Sequence, residues 1–274
     1  MKKVGYLGPS GSYSHLVAKH LDHKTELIGL ASFYEIFEAL ETEKIDIGVL
    51  PIENSTEGAV TPVMDALINM KDCKIISEMT ISIKHTLLST AENIKNIKYV
   101  LSHPQALEQC REFLKTKVPY AKLIPCESTS KACLLAKENG ADYSAIANQF
   151  AGEIYQLNQI QINLQDNALN QTRFIVLGKE EKLPTGQDKT SIIFSLYDDR
   201  PGGLFEILKL FADKNINLTR IESRPAKMEI GKYLFYIDLL GHASETEIAS
   251  IFNSIQDKTK TFKILGSYPI GPNL

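Results

Sequence analysis

The sequence predicts an α/β protein in two parts: strand–helix units over residues 1–180, then a small βαββαβ domain over 190–274. Three observations carry this. Short β-like runs repeatedly end in polar loops from which a helix starts at once, the pattern of parallel α/β sheets. The stretch KEEKLPTGQDK (179–189) concentrates charge with Pro and Gly, which marks a linker, set at 181–189. Beyond it, apolar runs and helical patterns follow in the order β-α-β-β-α-β of a ferredoxin-like domain.

Val4–Leu7 is the first strand, leading through Gly8-Pro9-Ser10-Gly11-Ser12 to a helix from Tyr13 to Leu21. Ile45–Leu50 leads through Glu53–Gly58 to a helix reaching Met70, and Tyr99–Leu101 through Ser102-His103-Pro104 to a helix reaching Leu114. Leu123-Ile124 leads to a helix over Lys131–Lys137, and Ser144–Ala147 to one ending at Leu157. The extended, alternating stretch Ile75–Leu88 reads as a crossing between two lobes, with a return through Ile160–Ile162 and a cleft between them. In the last part, Ile192–Leu196, Leu218–Glu222, Tyr233–Leu239 and Phe262–Gly266 read as strands. Leu204–Lys214, with Leu204, Leu208 and Phe211 on one face, and Glu245–Ile255 read as helices.

In parallel sheets ligands bind at the carboxyl ends of strands, where these loops lie. Each loop also opens a helix, whose free N–H groups suit an anion. The loops are rich in Ser, Thr, Asn and Gln and poor in acids, which points to a small polyanion as ligand.

The 274 residues are 43% hydrophobic, enough for two or three domains with cores, and net charge is -3. That gives no electrostatic reason to expect nucleic acid or a membrane surface. No apolar run has the length of a membrane span, and the N-terminal apolar stretch is broken by Gly8 and Pro9, so a cytoplasmic protein is expected. Cys73, Cys110, Cys126 and Cys133 form no C-x-x-C pair and read as reduced structural thiols. His15, His85 and His103 stand at no ligand spacing, so no metal site is expected. Gly5-x-x-Gly8-x-x-Gly11 fits neither nucleotide-loop spacing.

Thr172 and Arg173, before the apolar run Ile175–Leu177, are the most informative pair. A guanidinium can hold a carboxylate through two parallel hydrogen bonds. A hydroxyl beside it can donate to an oxygen leaving the same substrate. A solvated strand entry is the other reading of the pair.

The chain reads, in order, Gly8-Pro9-x-Gly11-Ser12-Tyr13-Ser14, Pro51-Ile52-Glu53-Asn54-Ser55, Ser102-His103-Pro104-Gln105-Ala106-Leu107, Ser128-Thr129, Asn170-x-Thr172-Arg173-Phe174, Arg200-Pro201-Gly202 and Glu222-Ser223-Arg224-Pro225. With these motifs it resembles a family, monofunctional prephenate dehydratase with a C-terminal ACT regulatory domain. The resemblance implies a two-lobed, periplasmic-binding-protein-like catalytic domain followed by the ACT domain. It implies that prephenate loses carbon dioxide and hydroxide together, giving phenylpyruvate on the path to phenylalanine. Aromatisation drives the reaction, so no cofactor is expected. A homodimer or homotetramer inhibited by L-phenylalanine is also implied. The chain starts at the dehydratase strand, so a preceding chorismate mutase domain is not expected.

By the same resemblance Thr172 is the donor to the departing oxygen. Arg173 is expected to pair with the pyruvyl carboxylate, because a cation on the ring carboxylate would oppose its loss as carbon dioxide. Asn54, Ser102 and Gln109 are expected in the cleft, with Gln109 on the helix that Pro104 opens. Ser12, Ser55, Phe174 and Glu53 are supports: Ser12 as a helix cap, Phe174 as packing, Glu53 as a cap or loop former. Phenylalanine is expected between the Gly202-Gly203-Leu204 turn and Asn217-Leu218-Thr219 of a partner subunit, near Glu222 and Ser223. There Gly203 and Phe205 depart from the family's usual Ala and Val, and a looser turn is expected. Arogenate dehydratase and a non-catalytic amino acid sensor are the competing functions.

Overall fold

The computed structural model describes residues 1–21, 24–198, 200–226 and 233–274. The chain opens with β1 (Lys3–Leu7) and α1 (Tyr13–Leu21), then β2 (Glu26–Leu30) and α2 (Phe33–Glu41). This second strand–helix unit adds to the expected set. Ser32 caps α2 by accepting the N–H of Glu35 (3.2 Å), and the Glu35 carboxylate accepts the N–H of Ala31 (3.0 Å). The first bond satisfies a donor that a helix start leaves open, and the second ties the residue before the cap to the first turn.

β3 (Ile47–Asn54) runs further than expected and includes Glu53 and Asn54. It turns back through β4 (Gly58–Ala59), with Asn54 opposite Gly58, before α3 (Thr61–Asn69). β5 (Lys74–Ser82) and β6 (Thr86–Ser89) make up the predicted extended stretch, and β7 (Tyr99–Ser102) follows.

The helix expected from Pro104 to Leu114 is two helices, α4 (Pro104–Glu108) and α5 (Arg111–Lys117). The break frees the Gln109 carbonyl to accept the N–H of Asp166 at 2.7 Å, while the Asp166 carboxylate accepts the N–H of Glu112. Then come β8 (Lys122–Pro125), α6 (Thr129–Asn139), β9 (Tyr143–Ala147), α7 (Gln149–Tyr155), β10 (Asn158–Gln161) and β11 (Gln171–Gly178). The last part holds β12 (Asp188–Leu196), α8 (Gly203–Ala212), β13 (Leu218–Pro225), β14 (Tyr233–Leu240), α9 (Thr246–Gln256) and β15 (Thr259–Pro269).

One sheet runs β2-β1-β3-β11-β5 with β4 on β3, a second β10-β6-β9-β7-β8, and a third β13-β14-β12-β15. The fold class is the expected one, with a correction: the first two sheets are mixed rather than parallel. β1 is parallel to β2 and β3, and β7 to β8 and β9, but β4 runs antiparallel to β3, and β6 antiparallel to both β9 and β10. β6 is the incoming strand of the crossing, so it enters its sheet against the direction of the strand–helix units. The third sheet has the βαββαβ order, with β12 antiparallel to β14 and β15.

By contacts the chain forms two compact units. One is Met1–Met64, Met79–Phe174 and Asn273–Leu274; the other is Asp65–Glu78 and Ile175–Pro272. In the first, α1 packs Val17 and Ala18 onto Val4, Tyr6 and Val49, and Phe174 joins this core. Further cores form around Leu87, Val100 and Ile146, and around Leu101, Ala132 and Ala145. In the second unit Ile207 and Phe211 of α8 and Ile248, Ile251 and Phe252 of α9 cover Ile192, Phe194 and Ile237. Among the described residues no helix is long and apolar enough to cross a membrane.

Candidate active site

The first unit contains a cleft of 310 Å³. Asn54 from β3, Thr172 from β11, Asn170 just before it, His85 before β6 and Gln109 after α4 line it. Tyr13, His103, Glu127, Ser128, Thr129 and Asn148 line it as well. The positions agree with ligand binding at strand ends.

Asn54 is the hub. Its side-chain oxygen accepts the N–H groups of Thr56 (2.9 Å) and Glu57 (3.0 Å) at the turn into β4. Its orientation is thereby fixed, because the amide nitrogen cannot accept. That nitrogen donates to Asn170 Oδ1 (2.8 Å), the Gln171 carbonyl (3.0 Å) and Thr172 Oγ1 (2.8 Å). Two hydrogens serve three acceptors, so one is shared. Asn170, 2% exposed, passes the direction on: its Nδ2 donates to Gln109 Oε1 at 3.2 Å. Gln109 Oε1 also lies 3.0 Å from His85 Nε2. Burial holds the His85 imidazole below its ordinary pKa, with the Gln109 bond pulling the other way, so the ring is neutral at neutral pH.

Thr172 and Arg173 part company here. Successive side chains of a strand point to opposite faces. Thr172 meets Asn54 on the cleft side, while Arg173 is buried and pairs with Glu53 at 3.1 Å, each partner one residue along its strand. Arg173 is not among the described lining residues, and it pairs with Glu53, the residue expected as a cap or loop former. No lysine or arginine is among the described lining residues.

Ser102 is fully buried and donates to the Ile146 carbonyl at 2.6 Å, away from the cleft lining. Gln109 lines the cleft, but as the residue that ends α4 rather than from within a helix. Ser12 donates to the Leu7 carbonyl (2.9 Å) and accepts the N–H of His15 (3.1 Å), securing the start of α1. Ser55 accepts the N–H of Gln171 (2.9 Å), tying β3 to β11, and Phe174 is core.

Two helix starts border the cleft. Ser128 caps α6 through the Lys131 N–H (3.0 Å), leaving the N–H groups of Thr129 and Ser130 ahead of the first intrahelical bond. Asn148 caps α7 through the Ala151 N–H (2.7 Å), and its amide nitrogen donates to the Gly11 carbonyl (2.8 Å). Gly11 has φ +86°, and a Cβ there would lie 3.2 Å from Ala151 Cα. The cysteines offer no nucleophile here: burial pushes the Cys110 and Cys133 thiols up to about 12.

His85, Asn170, Asn148 and Tyr13 are cleft residues that sequence reasoning does not assign. For Asn170 the signal is present, since it opens the Asn170-x-Thr172 motif. For His85 it is not: its spacing excludes a metal ligand and reveals nothing of its bond to Gln109.

In the second unit Gly202 has φ +84° and opens α8, whose first residue is Gly203. Gly203 borders a cavity of 230 Å³ with Leu196, Tyr197, Arg200 and Lys258. Gly203 is buried in the turn, and a Cβ there would meet Leu196 Cδ1 at 3.0 Å. Leu204 packs on the core. Phe205 is 66% exposed, so its bulk does not fill the turn. The carbonyl of Asn217 accepts the Leu240 N–H, and Thr219 donates to the Asp238 carbonyl. Leu218, Glu222 and Ser223 lie along β13.

Together these features define a two-sheet α/β protein with a polar small-molecule cleft, continued by a βαββαβ domain. A prephenate dehydratase family model matches residues 4–182 and an ACT domain model residues 190–256. The chain is 40% identical to the prephenate dehydratase of Methanocaldococcus jannaschii, over 98% of each chain. It is 40% identical to the bifunctional chorismate mutase/prephenate dehydratase of Aquifex aeolicus, over 97% of this chain and 73% of that one. The solved prephenate dehydratase of Arthrobacter aurescens, in complex with L-Phe, matches with a TM-score of 0.88 at 32% identity, over 97% and 90% of the two chains. The chain belongs to the prephenate dehydratase family and carries an ACT domain.

Proposed function

We propose that this chain converts prephenate to phenylpyruvate, carbon dioxide and water, with residues 1–180 as the catalytic domain, 181–189 as a linker and 190–274 as the ACT domain. The observation that carries the reading is the Thr172 hydroxyl in the cleft, accepting the Asn54 amide N–H at 2.8 Å. A hydroxyl that accepts one hydrogen bond is a better donor of its own hydrogen. With Oγ1 engaged by Asn54, that hydrogen is available to the hydroxyl leaving the substrate ring. A threonine is too weak an acid to give up its proton outright, so it stabilises the departing oxygen by hydrogen bonding: the electron pair of the bond to the leaving carbon dioxide aromatises the ring, the oxygen departs with its bonding pair as hydroxide, and hydroxide becomes water by taking a proton from solvent.

The lining described for the cleft, without lysine or arginine, favours that loss of charge. Neutral donors, Gln109 and the first N–H groups of α6, orient the dianion without neutralising the carboxylate that must decarboxylate. Arg173 and Glu53 act from the opposite face by fixing the strands that carry Thr172 and Asn54. Ser102 and Phe174 act likewise through packing. Glu127 is the lining group suited to an ammonium, so arogenate is the alternative substrate to compare.

The ACT domain receives L-phenylalanine at the Gly202-Gly203 turn on this reading, its carboxylate at the N–H of Leu204, since the Gly203 N–H donates to the Arg200 carbonyl, and its side chain toward a partner subunit's strand. The L-Phe held by the Arthrobacter relative supports this. The working form is a cytoplasmic homo-oligomer.

The test is phenylpyruvate formation from prephenate at neutral pH, without added metal or cofactor, by wild type and Thr172→Ala. Wild-type turnover with a loss of about 10²–10³-fold in the folded variant is expected. An active Thr172→Ala overturns the donor role, and a wild type that turns over arogenate but not prephenate overturns the substrate. Millimolar phenylalanine is expected to depress wild-type activity; unchanged curves refute the regulatory site.

A further inference from the structure

We infer that His85 is a positioning residue of this site, acting through Gln109 by donating from Nε2 so that the Gln109 amide nitrogen is delivered to the ligand. The inference rests on the dehydratase reading for its catalytic consequence and on hydrogen-bond direction for its geometry.

The direction is set three side chains away. The backbone N–H groups of Thr56 and Glu57 oblige Asn54 Oδ1 to accept, so Asn54 Nδ2 must donate to Asn170 Oδ1. Asn170 Nδ2 then donates to Gln109 Oε1, which makes that oxygen the acceptor. Facing an oxygen at 3.0 Å, His85 Nε2 must carry the hydrogen. The Nδ1 of a neutral ring is then bare.

The relay ends in two open atoms. Gln109 Nε2, a donor, and His85 Nδ1, an acceptor, are both buried without a hydrogen-bond partner. His85 is 3% exposed, and both residues line the cleft. Buried polar atoms in folded proteins are almost always paired, so two open atoms on one cleft point to what binds there. The amide N–H suits a ligand carboxylate or hydroxyl oxygen, and Nδ1 suits an O–H donor such as a bound water. The backbone of His85 is anchored on both sides, its N–H donating to Gln165 Oε1 (3.0 Å) and its carbonyl accepting the Leu164 N–H (2.9 Å). Without the His85 donor, Gln109 Oε1 keeps only its contact with Asn170, and the amide can turn.

The experiment compares His85→Leu, His85→Gln, Gln109→Ala and the His85→Leu/Gln109→Ala double variant. His85→Leu is expected to lower kcat/KM about 10–100-fold, the usual cost of losing a group that orients a ligand-contacting one. His85→Gln, whose amide nitrogen can reach the Nε2 position, is expected to restore most of it. The double variant is expected to be no slower than Gln109→Ala, because the two losses are one loss. Fully multiplicative losses, or a folded His85→Leu with wild-type kinetics, overturn the inference. The ¹⁵N resonances of His85 in the folded wild type give a readout independent of activity and of whether His85→Leu folds. A protonated Nε2 and bare Nδ1 are expected; the reverse tautomer or a charged ring at neutral pH overturns the proposal. A wild type inactive on prephenate and arogenate sinks the dehydratase reading alone, and the nitrogen resonances then decide the His85–Gln109 direction by themselves.

Discussion

At Asn54 one side chain sets the direction of every hydrogen bond around Thr172, and this makes an isosteric change informative. In Asn54→Asp the carboxylate can still accept the Thr56 and Glu57 N–H groups, but it has no hydrogen for Thr172 Oγ1. The Thr172 hydroxyl then donates to the introduced carboxylate instead of to the leaving oxygen. A fall in kcat of about 10²–10³-fold is expected, with the fold retained; steady-state kinetics beside circular dichroism measures it, and a kcat near wild type refutes the polarity argument. Glu53→Ala acts differently. It removes a carboxylate from a largely buried guanidinium, so a loss of about 1–3 kcal/mol in unfolding free energy is expected from denaturant curves. The sequence marks Thr172 and Arg173 as a pair, but not that strand alternation sends them to opposite faces. That requires knowing that Thr172 already lies within β11, whereas the apolar run that signals the strand begins only at Ile175.

The elements show how unevenly a fold is written in its sequence. α1 spans the expected Tyr13–Leu21, because one apolar face and a serine cap at Ser12 are local signals. β2 and α2 lie outside the expected elements, although Ser32-x-x-Glu35 before the buried Ile36, Phe37 and Leu40 is a legible capping box. The break between α4 and α5 is not legible at all. It depends on Asp166, more than fifty residues on, reaching the Gln109 carbonyl and the Glu112 N–H. β6 is legible as extended chain, but its antiparallel sense is set by which edge of the sheet the crossing enters. Asn148 carries a prediction at this scale, because it caps α7 and ties that helix to Gly11 through separate atoms. Asn148→Asp keeps the cap oxygen and loses the donor to Gly11, whereas Asn148→Ala loses both. The alanine variant is expected to lose about 1–3 kcal/mol. The aspartate is expected to recover only the cap's share, as read from urea midpoints; an aspartate variant as stable as wild type refutes a separate role for the Gly11 bond.

For the whole molecule, the buried titratable groups predict a two-step acid response. Burial lowers the pKa of His85, and burial together with Lys19 lowers that of His15, from 6.5. Well above 6.5 both rings are neutral folded or unfolded, and neither affects the pH dependence of stability. As pH falls through 6.5 the unfolded chain takes up protons that the folded protein refuses, so stability declines until the depressed folded values are passed. Asp188 supplies the second step. Burial raises its pKa, but the Thr185 N–H and hydroxyl and the Gly186 N–H together outweigh burial and hold it below 3.8. Its contribution is present above 3.8 and is lost as pH falls through the folded value. Urea unfolding of the wild type between about pH 7.5 and pH 3 should therefore show one decline starting near the ordinary histidine range and another in the carboxylate range. His85→Gln removes a titrating group from the first window only, so its stability should fall less steeply there while its second decline matches wild type. Asp188→Asn should start less stable at neutral pH and flatten the second decline alone. A His85→Gln curve parallel to wild type throughout would mean that His85 takes up its proton equally well folded and unfolded, and so is not held neutral by burial between Gln109 and the core.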